Sequence, residues 1–280
     1  MSSLSTRIAG VLIDLSGTIH VGSKAVEGAA LAIDQLRQAN IPFRFCTNTT
    51  KESKADLIDR LNHLGIPIHA EEEMFTSLTA CAYLIKKRQF KNPFYLLSDS
   101  ARREVDRLSK VSTPQSESLT PEHEKSEDQH DVVVVGLSPN DFNYETLNKA
   151  FRIIHEGAPL IAIHRARYMQ TEDGLSMGPG PFVSALENAA SIKADVVGKP
   201  ERSFFESAIR SMGLDPAKDR VCMIGDDIEQ DLGGGAIELD LRRYLVQTGK
   251  YRMGDERRGE NPEGVVFVKG VQEAIKNILS

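Results

Sequence analysis

Short apolar runs alternate along this chain with segments of helical periodicity, and that alternation constrains the fold more than any other feature. The run IAGVLIDL, turning at Asp14, is followed by EGAALAIDQLRQAN, which sets Ala29, Ile33 and Leu36 on one stripe. IPFRFCTN is followed by KESKADLIDRLNHLG, with Leu57, Leu61 and Leu64 on one face and Gly65 as a stop. Further on, ADVVGKP leads into ERSFFESAIRSMG, and RVCMIGDD leads into another helical segment. Strand and helix in alternation predict an α/β fold built on a mostly parallel sheet with helices on both faces.

The stretch between these groups has its own alternation: NPFYLLSD, DVVVVGL, NYETLNKAFRIIHEG, PLIAIH and GPFVSALENAA. It predicts a second, smaller α/β domain inserted into the first, with residues 1–88 and 194–280 forming the core and 89–193 the insertion. Inside the insertion, Ser109 to Asp131 is rich in Ser, Glu, Lys and Pro and reads as a solvated loop, a phosphorylated tail being the alternative.

With 40% hydrophobic and 26% charged residues, the chain has ordinary globular usage. A net charge of -6 argues against a nucleic-acid or anionic-membrane binder, so an anionic ligand must be met locally. Residues 1–10 lack the apolar centre of a signal peptide, and no run approaches the ~20 apolar residues of a membrane span. A cytoplasmic location is expected, with nuclear access left open. Cys46, Cys81 and Cys222 are widely spaced without a CxxC pair, and read as buried small hydrophobes in a reducing compartment.

Ligands of open parallel sheets gather beyond the C-terminal ends of the strands. The polar residues at those ends are Asp14, Ser16 and Thr18, then Thr47 and Asn48, then Lys199, and finally Asp226 and Asp227. Each alone has an ordinary reading as a turn or helix-capping residue. Together they differ, because two carboxylates held in one cleft repel unless a cation lies between them, and a few oxygen ligands with open positions suit Mg²⁺. A lysine, a hydroxyl and an amide beside that ion are the donors that hold a phosphoryl group through its transition state. The set points to phosphoryl transfer, with Asp14 as carboxylate nucleophile.

At these positions the chain resembles the haloacid dehalogenase superfamily: a DxxGT-type motif at Asp14 to Thr18, TN at Thr47 and Asn48, GKP at Gly198 to Pro200, and GDDxxxD at Gly225 to Asp231. The resemblance spans nearly the whole chain. It implies a Rossmann-like core, an inserted α/β cap of the type placed after the second motif, Mg²⁺ dependence and an aspartyl-phosphate intermediate. Carried over by position, Asp14 is nucleophile and metal ligand, Ser16 lends its main-chain carbonyl to the metal, and Asp226 is the third protein ligand. Thr47, Asn48 and Lys199 bind the phosphoryl group, with Asp231 supporting the metal shell and Thr18 and Asp227 beside it. The family's habits also imply a homodimer made through the cap.

This chain departs from the pattern in two places. The segment GGGAIELDLRRY lacks a Gly-Met pair seen in close relatives, which touches a helix end only. More consequentially, Ser16 stands where most phosphatases of the superfamily have an aspartic acid. That acid protonates the leaving oxygen and then activates water, help worth roughly 10²–10⁴-fold. Serine supplies no such proton, so the expected substrates need little help: pyrophosphate, P–N compounds such as phosphohistidine or phospholysine, or small phosphorylated metabolites. His20 is near enough in sequence to act as a surrogate acid, although a surface role is the plainer expectation. The competing reading is a weak pseudoenzyme that binds a phosphorylated ligand or a phosphoprotein. A dehalogenase, which needs no metal, would leave Asp226 and Asp227 unexplained. For substrate choice, RYMQTEDGLSMGPG is the candidate stretch, because Gly174, Gly178 and Gly180 allow close approach of a loop.

Overall fold

A computed structural model describes residues 7–50, 52–110, 130–171, 174–258 and 261–280. Most of the polar segment expected to be a solvated loop, residues 111–129, lies outside the described residues, as do residues 172–173 of the glycine-rich stretch. The chain divides into two compact units: Met1–Thr47, Lys54–Thr76 and Lys199–Ser280 form one, and Asn48–Ser53 with Ser77–Gly198 form the other. The long stretch of the second unit thus starts at Ser77, ahead of the expected 89, and runs to Gly198, beyond 193, and Asn48–Ser53 joins it from the part expected to be core.

The first unit opens with β1 (Gly10–Asp14), a two-residue hairpin of β2 (His20–Val21) and β3 (Lys24–Ala25), and α1 (Ala29–Gln38). β4 (Phe43–Thr47), α2 (Lys54–His63) and β5 (Met74–Thr76) follow. The second unit carries α3 (Ser77–Arg88), β6 (Pro93–Leu96), α4 (Asp99–Ser109), β7 (Val132–Val135), α5 (Tyr144–His155) and β8 (Leu160–Ala162). It ends with β9 (Tyr168–Thr171), β10 (Gly174–Met177), α6 (Gly180–Ala190) and β11 (Asp195–Val196). The first unit resumes with α7 (Arg202–Ser211), β12 (Val221–Gly225), α8 (Gly235–Glu238), β13 (Arg242–Val246), β14 (Val265–Val268) and α9 (Val271–Leu279).

The core sheet has six strands in the order β14-β13-β12-β1-β4-β5, parallel throughout. Its central strand GVLID is buried along its whole length, as a strand covered on both faces must be. Side chains alternate across it: Val11 and Ile13 join the cluster that includes Ala32, Ile33 and Leu36 of α1, Leu57 and Leu61 of α2, and Val271, Ala274 and Ile275 of α9. The opposite face is met by α7, whose Phe204 packs edge to face on Phe75 of β5 at 5.3 Å between ring centroids. From β1 the chain runs outward through β4 and β5 on one side, and through β12, β13 and β14 on the other. The strand order therefore reverses between β1 and β12, which is where a doubly wound sheet opens a crevice at its carboxyl ends.

The second unit holds a four-stranded parallel sheet in the order β11-β8-β7-β6, with an antiparallel hairpin of β9 and β10. Val133 and Val135 of β7 pack with Ala150, Ile153 and Ile154 of α5 and Val183 and Leu186 of α6, and Phe142 stacks on Phe182 at 3.8 Å. The segment ADVVGKP differs from its expected place: β11 pairs with β8 of this sheet and adds no strand to the core. Two residues of strand are too few for the alternation in the sequence to say which sheet they join.

His164, just past β8, is buried, and burial holds its imidazole down at about 4. An unfolded histidine takes up its proton near pH 6.5, so this group stabilises the fold above that value and the contribution is lost as pH falls toward 4. His164→Gln is expected to flatten the fall in unfolding free energy across that window by up to about 3 kcal/mol, read from urea denaturation at stepped pH. An unchanged pH profile would refute this assignment.

Candidate active site

The carboxyl end of β1 delivers Asp14 into the crevice, and a loop whose conformation only glycine accepts carries the next residues. Gly17 has φ +100°, and a Cβ there would overlap the Asp226 carboxylate. The Leu15 carbonyl accepts from the main-chain N–H groups of Thr18, Ile19 and His20, which curls the chain over Asp14. Thr18, fully buried, donates through Oγ1 to Asp14 Oδ2 at 3.3 Å. Ser16 is exposed on the rim of this loop. His20 is buried, contrary to the surface role expected of it, and its Nδ1 lies 3.0 Å from the carbonyl of Gly22 in the β2–β3 turn.

Lys199 is the hub of the cluster. Its Nζ lies 2.5 Å from Asp14 Oδ1 and 2.6 Å from Asp231 Oδ1, and it donates to the carbonyl of Cys46 at 3.0 Å. Only 3% of the side chain is exposed, so this is an ammonium removed from water and held by two carboxylates. Burial alone would lower its pKa; the charges of Asp14 and Asp231 outweigh that and hold it well above the ordinary lysine range. Thr47, next to Cys46 at the end of β4, is buried too. Asn48 falls in the second unit, where the backbone passes so near that a Cβ on Gly198 would come 2.6 Å from its Oδ1.

The end of β12 supplies the remaining acids. Asp226, nearly fully buried, accepts the main-chain N–H of Lys250 on Oδ2 at 2.6 Å. Burial, then the charge of Asp14, pushes its pKa above the carboxylate range. Asp227 plays a local part: Oδ1 accepts from the N–H groups of Glu229 and Gln230, and Oδ2 pairs with Lys250 Nζ at 3.0 Å. Burial would raise its pKa, but the N–H of Gln230 and the charge of Lys250 bring it below the ordinary value. Asp231 returns to the cluster through a reciprocal turn in which its N–H donates to the Asp227 carbonyl and its Oδ2 accepts from the Asp227 N–H. Burial is also the first cause of the raised pKa of Asp231, ahead of the Asp14 charge. A Cβ at Gly225 would overlap this side chain, so β12 has to end in glycine for Asp231 to fit.

Carboxylate oxygens of Asp14, Asp226 and Asp231 lie within 4.8 Å of one another. The single positive charge of Lys199 is shared between Asp14 and Asp231. Both oxygens of Asp231 are engaged, by Lys199 and by the Asp227 N–H. Among the described residues no hydrogen bond is made to Asp226 Oδ1. Three carboxylates against one ammonium leave two negative charges in excess in a buried acidic group, and hard oxygen donors with charge in excess fit a small divalent cation.

The turn after β13 is the part of the site that residue-by-residue reading missed. Thr248 donates through its hydroxyl to the Gly17 carbonyl, and Gly249 and Lys250 meet Asp226. The cue in the sequence was TGK following an apolar run, a strand-end pattern like those of the other site segments. Lys199 itself arrives at the core from β11 of the second unit, and not from a core strand.

Family models match both parts of the chain: haloacid dehalogenase-like hydrolase over residues 11–109, and HAD-hydrolase-like over residues 196–274. The human protein called haloacid dehalogenase-like hydrolase domain-containing protein 2 is 44% identical over 272 residues, 97% of this chain and 96% of its own length. Human phospholysine phosphohistidine inorganic pyrophosphate phosphatase is 34% identical over 279 residues, 97% of this chain and 94% of its own length. Among solved structures, a mutant of the thermostable p-nitrophenylphosphatase from Bacillus stearothermophilus superposes with TM-score 0.78 at 27% identity, covering 95% of this chain and 98% of its own. The fold is shared with a 4-nitrophenylphosphatase from Thermotoga maritima, TM-score 0.82 at 22% identity and 97% of both chains.

Replacing Lys199 by methionine leaves two buried carboxylates without their counter-ion. The variant is expected to lose about 3–5 kcal/mol of unfolding free energy at neutral pH. Because the stranded acids take up protons, the loss shrinks in mild acid. Urea denaturation at both pH values checks this, and a loss that is equal at the two would sink it.

Proposed function

The chain belongs to the haloacid dehalogenase-like hydrolase family, and from that premise we propose that it is a Mg²⁺-dependent phosphohydrolase working through a phosphorylated Asp14 on substrates with good leaving groups. The observation that carries the reading is the buried Asp14–Lys199–Asp231 bridge beside Asp226, three carboxylates with one ammonium among them, at the point where strand order reverses. A pure scaffold has no physical need for such an arrangement, since apolar side chains of similar volume would fill the same space without the cost of taking charges out of water.

Asp14, Asp226 and the main-chain carbonyl of Ser16 would hold the cation. Bound there, Mg²⁺ supplies positive charge to the phosphoryl oxygens and offsets the repulsion between the two carboxylates. Lys199 fixes the Asp14 carboxylate through Oδ1 and adds a second positive charge against the phosphoryl group, with the Thr47 hydroxyl and the Asn48 amide as further donors. In the first step a carboxylate oxygen of Asp14 bonds to phosphorus while the bond to the leaving group breaks, and the leaving group departs with that electron pair. In the second, water attacks the phosphorus, releasing inorganic phosphate, regenerating Asp14 and giving its proton to solvent.

No acid stands at Ser16 to protonate a poor leaving group. The hydroxyl at the exposed rim has no useful pKa, and the His20 ring is drawn to the Gly22 carbonyl. Substrates that leave unaided are therefore favoured: pyrophosphate, or a P–N bond whose nitrogen already carries a proton, on a small molecule or on a protein side chain. The name of the human phosphatase that is 34% identical supports this class.

The test is phosphate release from pyrophosphate, a phosphoramidate and an alkyl phosphate such as glycerol phosphate, with and without Mg²⁺. Wild type is expected to act on the first two only, and only with Mg²⁺; Asp14→Asn is expected to be inactive. Ser16→Asp is expected to gain at least about 10²-fold on the alkyl ester, the low end of what a positioned acid contributes. Wild type indistinguishable from Asp14→Asn on every compound, while still binding Mg²⁺, would replace this reading with a ligand-binding pseudoenzyme.

A further inference from the structure

We infer that the turn Thr248–Lys250 is a positioning element that sets the cation affinity of the site, by fixing the Asp226 carboxylate and the loop after Asp14 together. The inference rests on the phosphohydrolase reading for the identity of the cation. Three contacts carry it. The Thr248 hydroxyl donates to the Gly17 carbonyl, the Lys250 N–H donates to Asp226 Oδ2 at 2.6 Å, and Lys250 Nζ pairs with Asp227 Oδ2 at 3.0 Å. Between the first two sits Gly249 at φ +59°, where a Cβ would overlap both the Asp226 carboxylate and the Gly17 Cα.

Gly249 is exposed and Thr248 half-buried, so neither is held in place by packing in the apolar core. The conformation serves the carboxylate. An N–H on one oxygen of Asp226 fixes the rotation of the group and leaves the other oxygen for a ligand, and hydrogen bonds of this kind are what orient metal-ligating carboxylates.

The same turn acts on the nucleophile loop. The Gly17 N–H donates to the His20 carbonyl at 2.7 Å. In a trans peptide the C=O lies opposite the N–H, so that bond directs the Ser16 carbonyl away from His20. Thr248 then holds the next carbonyl, that of Gly17. Successive peptides are each held by a hydrogen bond, and the orientation of the Ser16 carbonyl follows from main-chain geometry with no demand on the side chain at 16. This is how a serine can replace an aspartate there and leave the cation site whole.

The experiment is calorimetric titration of the full chain with Mg²⁺ alone, together with melting of the Mg²⁺-free protein. Thr248→Val removes the hydroxyl at equal size and is expected to weaken Mg²⁺ binding about 10-fold, with Thr248→Ser restoring it to within about 3-fold of wild type. Gly249→Ala is expected to weaken it by about 100-fold, the upper end for lost orientation of a ligand. For Thr248→Val, saturating Mg²⁺ is expected to recover kcat while the Mg²⁺ concentration for half activity rises with Kd. If both variants fold and bind Mg²⁺ like wild type while Asp226→Asn fails to bind it, the turn has no such role and the phosphohydrolase reading stands. A lower melting temperature with unchanged Kd likewise overturns the inference as merely structural. Unchanged Mg²⁺ affinity in Asp14→Asn and Asp226→Asn would overturn the cation site itself, and this inference with it.

Discussion

The buried ammonium of Lys199 is the interaction on which the rest of the site depends. Asp14 comes from the end of β1, Asp231 from the turn beyond β12 and the Cys46 carbonyl from β4, and Lys199 touches all three. Without a counter-ion, acids brought together in a dry crevice repel and take up protons. The lysine lets Asp14 and Asp231 lie within hydrogen-bonding distance of one positive charge, and it links strands that are neighbours in the sheet but distant in the chain. One ammonium does not balance three carboxylates, and the negative charge that remains in the cluster is what a cation would bind.

Such crowding is bought with glycine. Gly17, Gly225 and Gly249 each stand where a Cβ would overlap a site carboxylate or its backbone support. They have no chemistry of their own, yet they set how near the acids come to each other and to the main chain that orients them. Gly17 and Gly249 also occupy positive φ, so the geometry of the backbone and the space for the carboxylate are solved by the same residues.

Ser16 shows how such a site tolerates change at one position. Its side chain is at the exposed rim, whereas the main-chain carbonyl next to it belongs to a peptide fixed by His20 and followed by one held by Thr248. Losing a carboxylic acid there removes a proton donor and leaves the peptide geometry intact. The proposed selectivity for good leaving groups is a consequence of that separation between side-chain and main-chain roles.

Much of this was legible in the sequence. The periodicity around Ala29, Ile33 and Leu36, and around Leu57 and Leu61, marked α1 and α2, because burial of one helix face imposes its spacing on the apolar residues. Asp14, Thr47, Lys199 and Asp226 stood out because polar residues of one chemical set recur at the ends of several apolar runs, whereas Asp231 came only from the resemblance of GDDxxxD to the family's motif. The tertiary structure alone decided that β11 joins the sheet of the second unit, that His20 is buried, and that Thr248, Gly249 and Lys250 complete the cluster. Each of these depends on contacts between residues far apart in the chain or on strands of only two residues, for which local periodicity carries no signal. Sequence pattern reports which faces are buried; which strand ends meet at the reversal between β1 and β12 is settled by the order in which parallel strands pack.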